Sequence, residues 1–316
     1  MKPNRHSECP ERIDRREFLR RTTAATAAAT AVTAVWGASQ AADVVTAPAA
    51  SPWQIGCYTR PWDAHDVRTA LDGIAEAGFA WAGLMTAKGK SWVIVNSTTA
   101  PEEVGRLGDE AKQRNLKILS VYGGDFPTTS VAEGVTGLHQ LIDCCVACAS
   151  PHLLLGGTGD EKLFDTYYRI IAEACPYAAE KKVVLSIKPH GGLNATSLQC
   201  RKAIERVGHP AFRLWYDPGN IFYYSDGQLD PVDDAPNAAG LVCGMSVKDF
   251  TPPKEVLVTP GTGKVRFPEV FARLRAGGFK SGPLIVECTA RGDVKTVTAE
   301  ARRARLMLEQ WASTPA

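Results

Sequence analysis

The chain has 316 residues, of which 45 % are hydrophobic and 22 % are charged, a composition typical of a globular protein with one large core. Its formal net charge is +2, but seven of the 36 basic and four of the 34 acidic residues lie in residues 1–41, so the remainder carries −1. A nearly neutral chain lacks the basic surface that binds phosphate backbones, which excludes nucleic acid as a partner.

The first predicted element is an export signal. Arg15 and Arg16 open the sequence RREFLRR, and an Ala/Thr-rich run and a small-residue SQA site follow it. This pattern resembles a twin-arginine signal, so we expect a signal over residues 1–41, a loose linker over 42–52 and a periplasmic or extracellular protein. The alternative is an uncleaved helical anchor, which the weakly apolar run disfavours. No later segment has the ~20 apolar residues that a membrane span needs, so none is expected after signal removal.

Short apolar runs alternate with longer stretches of helical periodicity over the rest of the chain, which predicts eight strand–helix units. The predicted strands cover residues 53–59, 81–85, 117–124, 152–157, 183–190, 212–217, 241–249 and 283–289. Eight such units predict an α/β fold, a (β/α)8 TIM barrel in one domain over residues 53–316. A doubly wound sheet is disfavoured, because the turn after the first strand reads TRPWDAHD and lacks the glycine-rich phosphate turn of that fold.

Polar side chains stand at the predicted ends of the later strands, where barrel enzymes carry their reacting groups. Alternation along the fifth strand places Lys188 and His190 on the inward face, and Asp217 and Glu287 end later strands in the same way. We expect these four side chains to meet at the mouth of the barrel. Two carboxylates, an ammonium group and an imidazole in one pocket are suited to proton transfer next to a carbonyl.

Each of these residues also has a structural interpretation. Asp217 begins the turn sequence DPGN, where an aspartate often serves only the turn. Glu287 alternatively forms a structural ion pair with Lys188, His190 serves as a core histidine, and Lys248 pairs with a neighbouring aspartate. The convergence of several such residues at the ends of consecutive strands favours the functional interpretation.

Four stretches of the second half resemble a known family, the xylose isomerase-like TIM barrels of the sugar phosphate isomerase/epimerase superfamily. They read VVLSIKPHGG, LWYDPGNIFYY, GMSVKDF and GTGKVRFPEVFARLRAGGFKSGPLIVE. The resemblance implies a divalent metal held by a Glu, an Asp, a His and a Glu on strands five to eight. Asp217 and Glu287 match the second and fourth ligands, whereas Lys188 and Ser246 stand where the first and third are expected.

This departure from the family pattern leaves two interpretations of the site. In the first, a divalent metal such as Mn, Mg or Zn is weakly held by Asp217, Glu287 and His190. In the second, the Lys188 ammonium group replaces the metal and stabilises an enediolate-like oxyanion. The second is preferred, because an ammonium group in the metal's first shell would repel the ion.

The function predicted from these residues is that of an exported enzyme, a sugar or keto-sugar isomerase or epimerase that abstracts a proton next to a carbonyl. Its predicted catalytic residues are Lys188, Asp217 and Glu287. The predicted substrate-binding residues are His190, Lys248, Ser246, Trp62 and Tyr223, the aromatic ones because their faces stack on sugar C–H groups. The alternatives are a lyase or hydratase that acts on an oxidised (keto) glycoside, and a sugar-binding barrel without catalysis. A carbohydrate substrate is the expected partner, and a homo-oligomer is left open.

Overall fold

The computed structural model describes residues 51–313, which contain eight parallel β-strands. They are β1 (Trp53–Tyr58), β2 (Trp81–Leu84), β3 (Lys117–Tyr122), β4 (His152–Leu155), β5 (Val184–Ile187), β6 (Phe212–Tyr216), β7 (Val242–Val247) and β8 (Gly282–Val286). Each strand pairs with the next along the chain, and β8 pairs with β1 to close the barrel. The predicted TIM barrel is therefore confirmed.

Helices follow the strands and surround the barrel. They are α1 (Val67–Glu76), α2 (Pro101–Gln113), α3 (Val131–Ala147), α4 (Glu161–Glu180), α5 (Ser197–Val207), α6 (Pro218–Tyr224), α7 (Pro231–Asp234), α8 (Phe267–Ala276) and α9 (Val294–Ser313). The short helices α6 and α7, together with a 3-10 turn at Ala235–Ala238, fill the connection between β6 and β7. This connection is the one in which the sequence shows the weakest helical periodicity.

The helix ends follow local sequence signals. Asp66 begins α1, and its side chain accepts hydrogen bonds from two backbone N–H groups of the first turn. Thr196 and Gln199 form a reciprocal capping box at the start of α5. Gly208 ends α5 with φ +66°, a left-handed conformation that glycine adopts without the steric cost of a Cβ atom.

Apolar side chains form two separate clusters, one between the barrel and its helices and one inside the barrel. The inner cluster consists of Tyr58, Met85, Leu119, Leu154, Trp215 and Ile285. Trp215 requires a glycine on the neighbouring strand, because a Cβ atom on Gly244 would lie 2.3 Å from its ring. This packed interior supports the polar groups at the strand ends, since the Trp215 indole N–H donates a hydrogen bond to one of them, Ser246.

Residues 1–50 lie outside the described part of the chain, so the predicted signal and linker stay predictions. Within residues 51–313, no helix combines the length and the apolar character that crossing a bilayer requires.

Candidate active site

Four charged side chains form an ion-pair cluster at the carboxyl-terminal end of the barrel. The Lys188 Nζ atom lies 3.1 Å from Asp217 Oδ2 and 2.7 Å and 2.9 Å from the two carboxylate oxygens of Glu287. The Lys248 Nζ atom lies 3.2 Å from Asp217 Oδ2 and 2.6 Å from Glu287 Oε1. Each ammonium group therefore contacts both carboxylates, and all four residues are at most 3 % exposed.

Neutral hydrogen-bond partners complete the cluster. The Ser246 hydroxyl donates to Glu287 Oε2 at 2.6 Å and accepts from the Trp215 indole N–H at 3.1 Å. The Asn220 backbone N–H donates to Asp217 Oδ1 at 3.0 Å. Every carboxylate oxygen of the two acids thus accepts at least one hydrogen bond, as buried carboxylates require.

The barrel topology brings the cluster together. Lys188 directly follows β5, Lys248 directly follows β7 and Glu287 directly follows β8. Asp217 directly follows β6 and also caps the N-terminus of α6, so the DPGN turn is present as well. Parallel strands in a closed barrel end on the same face, so residues far apart in sequence meet there.

Charge pairing outweighs burial in the cluster. Burial alone would raise the pKa of Glu287, but the Lys188 and Lys248 ammonium groups hold it well below its ordinary value of 4.5. Burial likewise opposes the charge on Lys248, yet Asp217 and Glu287 together raise the pKa of its ammonium group above the ordinary value. Two positive and two negative groups therefore balance one another at neutral pH.

A cavity of about 460 Å³ includes Lys188 in its wall. Its other polar and aromatic wall residues include Arg60, Trp92, Tyr122, Asp125 and His190. Lys188 is the one member of the ion-pair cluster that lines this cavity. The volume lies in the range of small-molecule sites, so a ligand in this cavity would reach the cluster through the Lys188 ammonium group.

His190 stands in the same wall with a free imidazole. Its ring centroid lies 6.5 Å from that of Tyr122 and 5.7 Å from that of Tyr224. Burial, together with the Lys188 and Lys248 charges, lowers the pKa of His190 to about 3, so the ring is neutral at physiological pH. Within residues 51–313, neither ring nitrogen hydrogen-bonds to the protein, which leaves both available to a ligand.

The structure corrects the prediction for Trp62. This residue is 1 % exposed and belongs to the main hydrophobic core rather than to the cavity wall. The 3-10 turn Arg60–Trp62 directs the indole toward α1, where Gly73 leaves room for it. A Cβ atom on Gly73 would lie 2.5 Å from the indole.

The other predicted substrate-binding residues also lie outside the cavity wall, except for His190. Ser246 and Lys248 are buried inside the ion-pair cluster, where their polar atoms bind protein groups. Tyr223 packs edge-on against Tyr224, with ring centroids 5.0 Å apart, and beneath the Lys254 ammonium group. These three residues therefore support the site without contacting a ligand in this cavity.

The sequence did not indicate a role for Arg60 or Tyr122, although both residues line the cavity. Tyr122 is the last residue of β3, and Arg60 is the second residue after the end of β1. Their position at strand ends is the signal that could have identified them, because strand ends supply the mouth of a barrel.

The donor set does not fit a divalent metal. The Lys188 ammonium group lies between the two predicted carboxylate ligands, at 3.1 Å from Asp217 and 2.7 Å from Glu287. A divalent ion at the same carboxylates would meet both this cation and Lys248, at a cost of several kcal/mol. No three His, Cys, Asp or Glu side chains of residues 51–313 are grouped as metal ligands. The interpretation in which Asp217, Glu287 and His190 hold a metal therefore disagrees with the geometry.

Comparison with known proteins identifies the family. A family model described as "Xylose isomerase-like TIM barrel" matches residues 71–311. The chain belongs to this family. The ligand set that the resemblance implies has a Glu and a His where this chain has Lys188 and Ser246. A search of curated protein sequences gave no match.

Solved structures have the same fold as this xylose isomerase-like barrel at low sequence identity. A D-psicose 3-epimerase crystallised in the presence of D-fructose is 12 % identical with a TM-score of 0.65, covering 83 % of this chain and 100 % of its own. The D-psicose 3-epimerase of Clostridium cellulolyticum H10, solved with D-tagatose, is 13 % identical with a TM-score of 0.64, covering 82 % and 99 %. A xylose isomerase domain protein from Planctomyces limnophilus is 17 % identical with a TM-score of 0.63, covering 82 % and 97 %. These likenesses establish the fold.

Proposed function

We propose that this protein is a carbohydrate isomerase or epimerase that moves a proton on the carbon beside a sugar carbonyl. The observation that carries the proposal is that Lys188 binds both buried acids and also lines the cavity. A fixed cation in a desolvated pocket stabilises charge that develops on a substrate oxygen. The sugar epimerases of the same fold support the carbohydrate class of the substrate.

In the proposed reaction, the carbonyl oxygen lies beside the Lys188 ammonium group, whose positive charge polarises the C=O bond while its three N–H groups stay on Asp217 and Glu287. Loss of a proton from the adjacent carbon gives an enediolate, whose negative oxygen stays next to the ammonium group. Delivery of a proton from solvent water to the opposite face of the same carbon, while His190 releases its proton to solvent, gives the epimer. Return of the abstracted proton to the former carbonyl carbon, with a hydroxyl proton moving between the two oxygens, gives the isomer.

His190 is the proposed base of this reaction. It lines the cavity beside Lys188, it is neutral because its pKa is lowered to about 3, and its ring nitrogens form no hydrogen bond with any of residues 51–313. A base with so low a pKa is weak in the resting site, but the negative charge that develops on the substrate offsets the ammonium field and strengthens it. Asp217 and Glu287 were predicted as catalytic residues, but we do not assign them as acid or base. Neither lines the cavity, and each is neutralised by two ammonium groups.

A sugar-binding barrel without catalysis is the second candidate. The observation in its favour is the low pKa of Glu287, which makes this carboxylate a poor proton acceptor. Such a protein would bind a sugar in the cavity without exchanging its protons.

The test is proton exchange with the solvent. The purified protein is incubated with a panel of ketoses and 3-keto-glycosides in D2O and EDTA, and deuterium incorporation next to the carbonyl is followed by NMR. We expect exchange that continues in EDTA and that falls at least about 100-fold in His190→Gln, as for loss of a general base. His209→Gln, which changes a histidine that does not line this cavity, is the matched control.

The outcomes separate the candidate functions. Sugar binding measured by calorimetry, without exchange on any member of the panel, would overturn the isomerase proposal in favour of the binding barrel. Release of a substituent from a keto-glycoside would instead identify the predicted lyase, which shares the first proton abstraction.

Export is a separate proposal that rests on the sequence of residues 1–41. Arg15 and Arg16 are its central feature. In a bacterial host that has the twin-arginine route, the full-length protein is expected in the periplasmic fraction and the Arg15→Lys/Arg16→Lys variant in the cytoplasm. Equal distribution of the two proteins would contradict the proposal.

A further inference from the structure

Arg60 is a charged cavity residue that the proposed reaction does not use. It follows β1 and begins the 3-10 turn Arg60–Trp62, and its guanidinium carbon lies 5.5 Å from the centre of the Trp92 ring. Its Nε atom is buried and has no hydrogen-bond partner. A buried guanidinium N–H without an acceptor is costly, so it calls for a ligand atom that can accept a hydrogen bond.

No carboxylate of residues 51–313 neutralises Arg60 directly. Asp63 attracts the Arg60 cation, but its own ion pair is with Arg291, at 2.9 Å. Glu287 attracts Arg60 from a distance, but this carboxylate already binds Lys188 and Lys248. Among residues 51–313, the Arg60 guanidinium group therefore has no carboxylate as an ion-pair partner.

The ion-pair cluster taken together with Arg60 carries one positive charge in excess. Lys188 and Lys248 balance Asp217 and Glu287, and Arg60 adds one more cation to this set. Asp125 also lines the cavity, but it is exposed, so water screens its charge. A ligand that carries one negative charge would neutralise the excess.

We propose that the substrate is an acidic sugar, whose carboxylate pairs with Arg60 while its carbonyl meets Lys188. This inference rests on the proposed function for the role of Lys188, and it adds the substrate class. The guanidinium fork matches a carboxylate in two parallel hydrogen bonds, which gives orientation as well as affinity. A phosphate group, with a charge of about −1.5 to −2, would exceed the single excess charge of the site.

Trp92 completes the proposed subsite. It lines the cavity and is 53 % exposed, so its ring offers a face to a ligand at the cavity entrance. The apolar C–H face of a sugar can stack on this ring while the acidic group lies beside Arg60. The arrangement thus combines a charged anchor and an apolar platform in one cavity.

The test compares three ketoses that differ only at the last carbon. D-fructose, D-fructuronate and D-fructose 6-phosphate are titrated into the protein by calorimetry at low salt, and the same trio based on D-tagatose is used in parallel. We expect the keto acid to bind at least about tenfold more tightly than the neutral sugar, as for a charge-assisted hydrogen-bonded pair. In Arg60→Gln the ratio is expected to fall to about one, with an intermediate ratio in Arg60→Lys.

Arg291→Gln is the matched control. It removes a cation from a neighbouring loop but not from the cavity wall, so it should keep the preference for the acid. Equal binding of the acid and the neutral sugar, absence of binding by all six probes, or a preference that survives in Arg60→Gln would overturn the inference. Tighter binding of the phosphate than of the keto acid would also overturn it.

The two proposals can fail separately. Preference for the acid without deuterium exchange would support the acidic ligand and contradict the isomerase proposal. Exchange on neutral ketoses without preference for the acid would support the isomerase proposal and contradict the acidic ligand.

Discussion

Lys188 links the buried charges to the cavity. Its ammonium group binds two carboxylates that are fully buried, and it is also the member of the cluster that lines the cavity. Removing one partner of a buried ion pair leaves an uncompensated charge in a medium of low dielectric constant. The residue that we assign to catalysis is therefore also a large contributor to stability.

We expect Lys188→Met to lower the free energy of unfolding by about 3–5 kcal/mol, because Asp217 and Glu287 would share only the Lys248 ammonium group. Urea unfolding at pH 7 measures the loss. Lys254→Met, which breaks an exposed pair with Asp226, is the control and should change stability much less. An unfolding curve of Lys188→Met that coincides with that of the unmodified protein would contradict the structural role.

The protein should bind a divalent metal when the Glu, Asp, His and Glu ligands that the resemblance implies are all present. The double variant Lys188→Glu/Ser246→His would place four oxygen and nitrogen ligands on strands five to eight, including Asp217 and Glu287. We expect this variant to bind Mn²⁺ in calorimetry and the unmodified protein not to, because three carboxylates and an imidazole would then face the single ammonium group of Lys248. Tight Mn²⁺ binding by the unmodified protein would show that the ammonium group does not take the place of the ion.

At the scale of elements, one buried carboxylate organises the loop between β7 and α8. The sequence PGTGK in this loop is glycine-rich, yet its N–H groups face an aspartate of the same chain. Asp249 accepts hydrogen bonds from the backbone N–H groups of Gly261, Gly263 and Val265 at 2.8–2.9 Å. Successive N–H groups of this kind form an anion-binding concavity, which here is filled by the chain itself.

Asp249→Asn should destabilise the protein by about 3 kcal/mol, since the amide nitrogen would face N–H donors and the charge-assisted bonds would be lost. Chemical denaturation measures the change. Asp226→Asn at an exposed ion pair is the control and should cost less. Equal losses in the two variants would mean that the loop does not depend on the Asp249 carboxylate.

At the scale of the whole molecule, three buried groups make stability depend on pH in the same direction. Burial lowers the pKa of His152 to about 4, and burial with nearby ammonium groups lowers that of His190 to about 3, both from 6.5. The pKa of Glu287 is likewise held below 4.5. The unfolded chain therefore binds more protons than the folded protein in acid, so stability falls as pH drops.

We expect the free energy of unfolding to be level between about pH 6.5 and 8 and to decrease between about pH 6.5 and 4, by about 1.4 kcal/mol per pH unit for each titrating histidine. Urea unfolding at a series of pH values measures this slope. His190→Gln should reduce the slope by the share of one histidine. An unchanged slope in that variant would contradict the neutral, buried state of His190.

The architecture was predictable because its signals are local. Each strand shows as a short apolar run such as "PLIVECT", and each helix shows as a stretch of regular periodicity, so the eight units can be counted along the chain. The meeting of Lys188, Asp217 and Glu287 was also predictable, since each ends a parallel strand. Residues at comparable positions, Arg60 and Tyr122, were missed because neither the turn TRPWDAHD nor the strand KILSVYGG matches a recognised sequence motif.

The amino-acid order by itself determined the barrel, the face on which polar groups collect and the family to which the chain belongs. Only the tertiary structure decided that Lys248 shares both acids with Lys188, that Trp62 turns into the core and that Arg60 lines the cavity without an ion pair to any of residues 51–313. The physical reason is the distance along the chain over which each feature is determined. Strand alternation and capping depend on neighbours in sequence, whereas the partners of a long charged side chain depend on strand register and packing across the whole barrel.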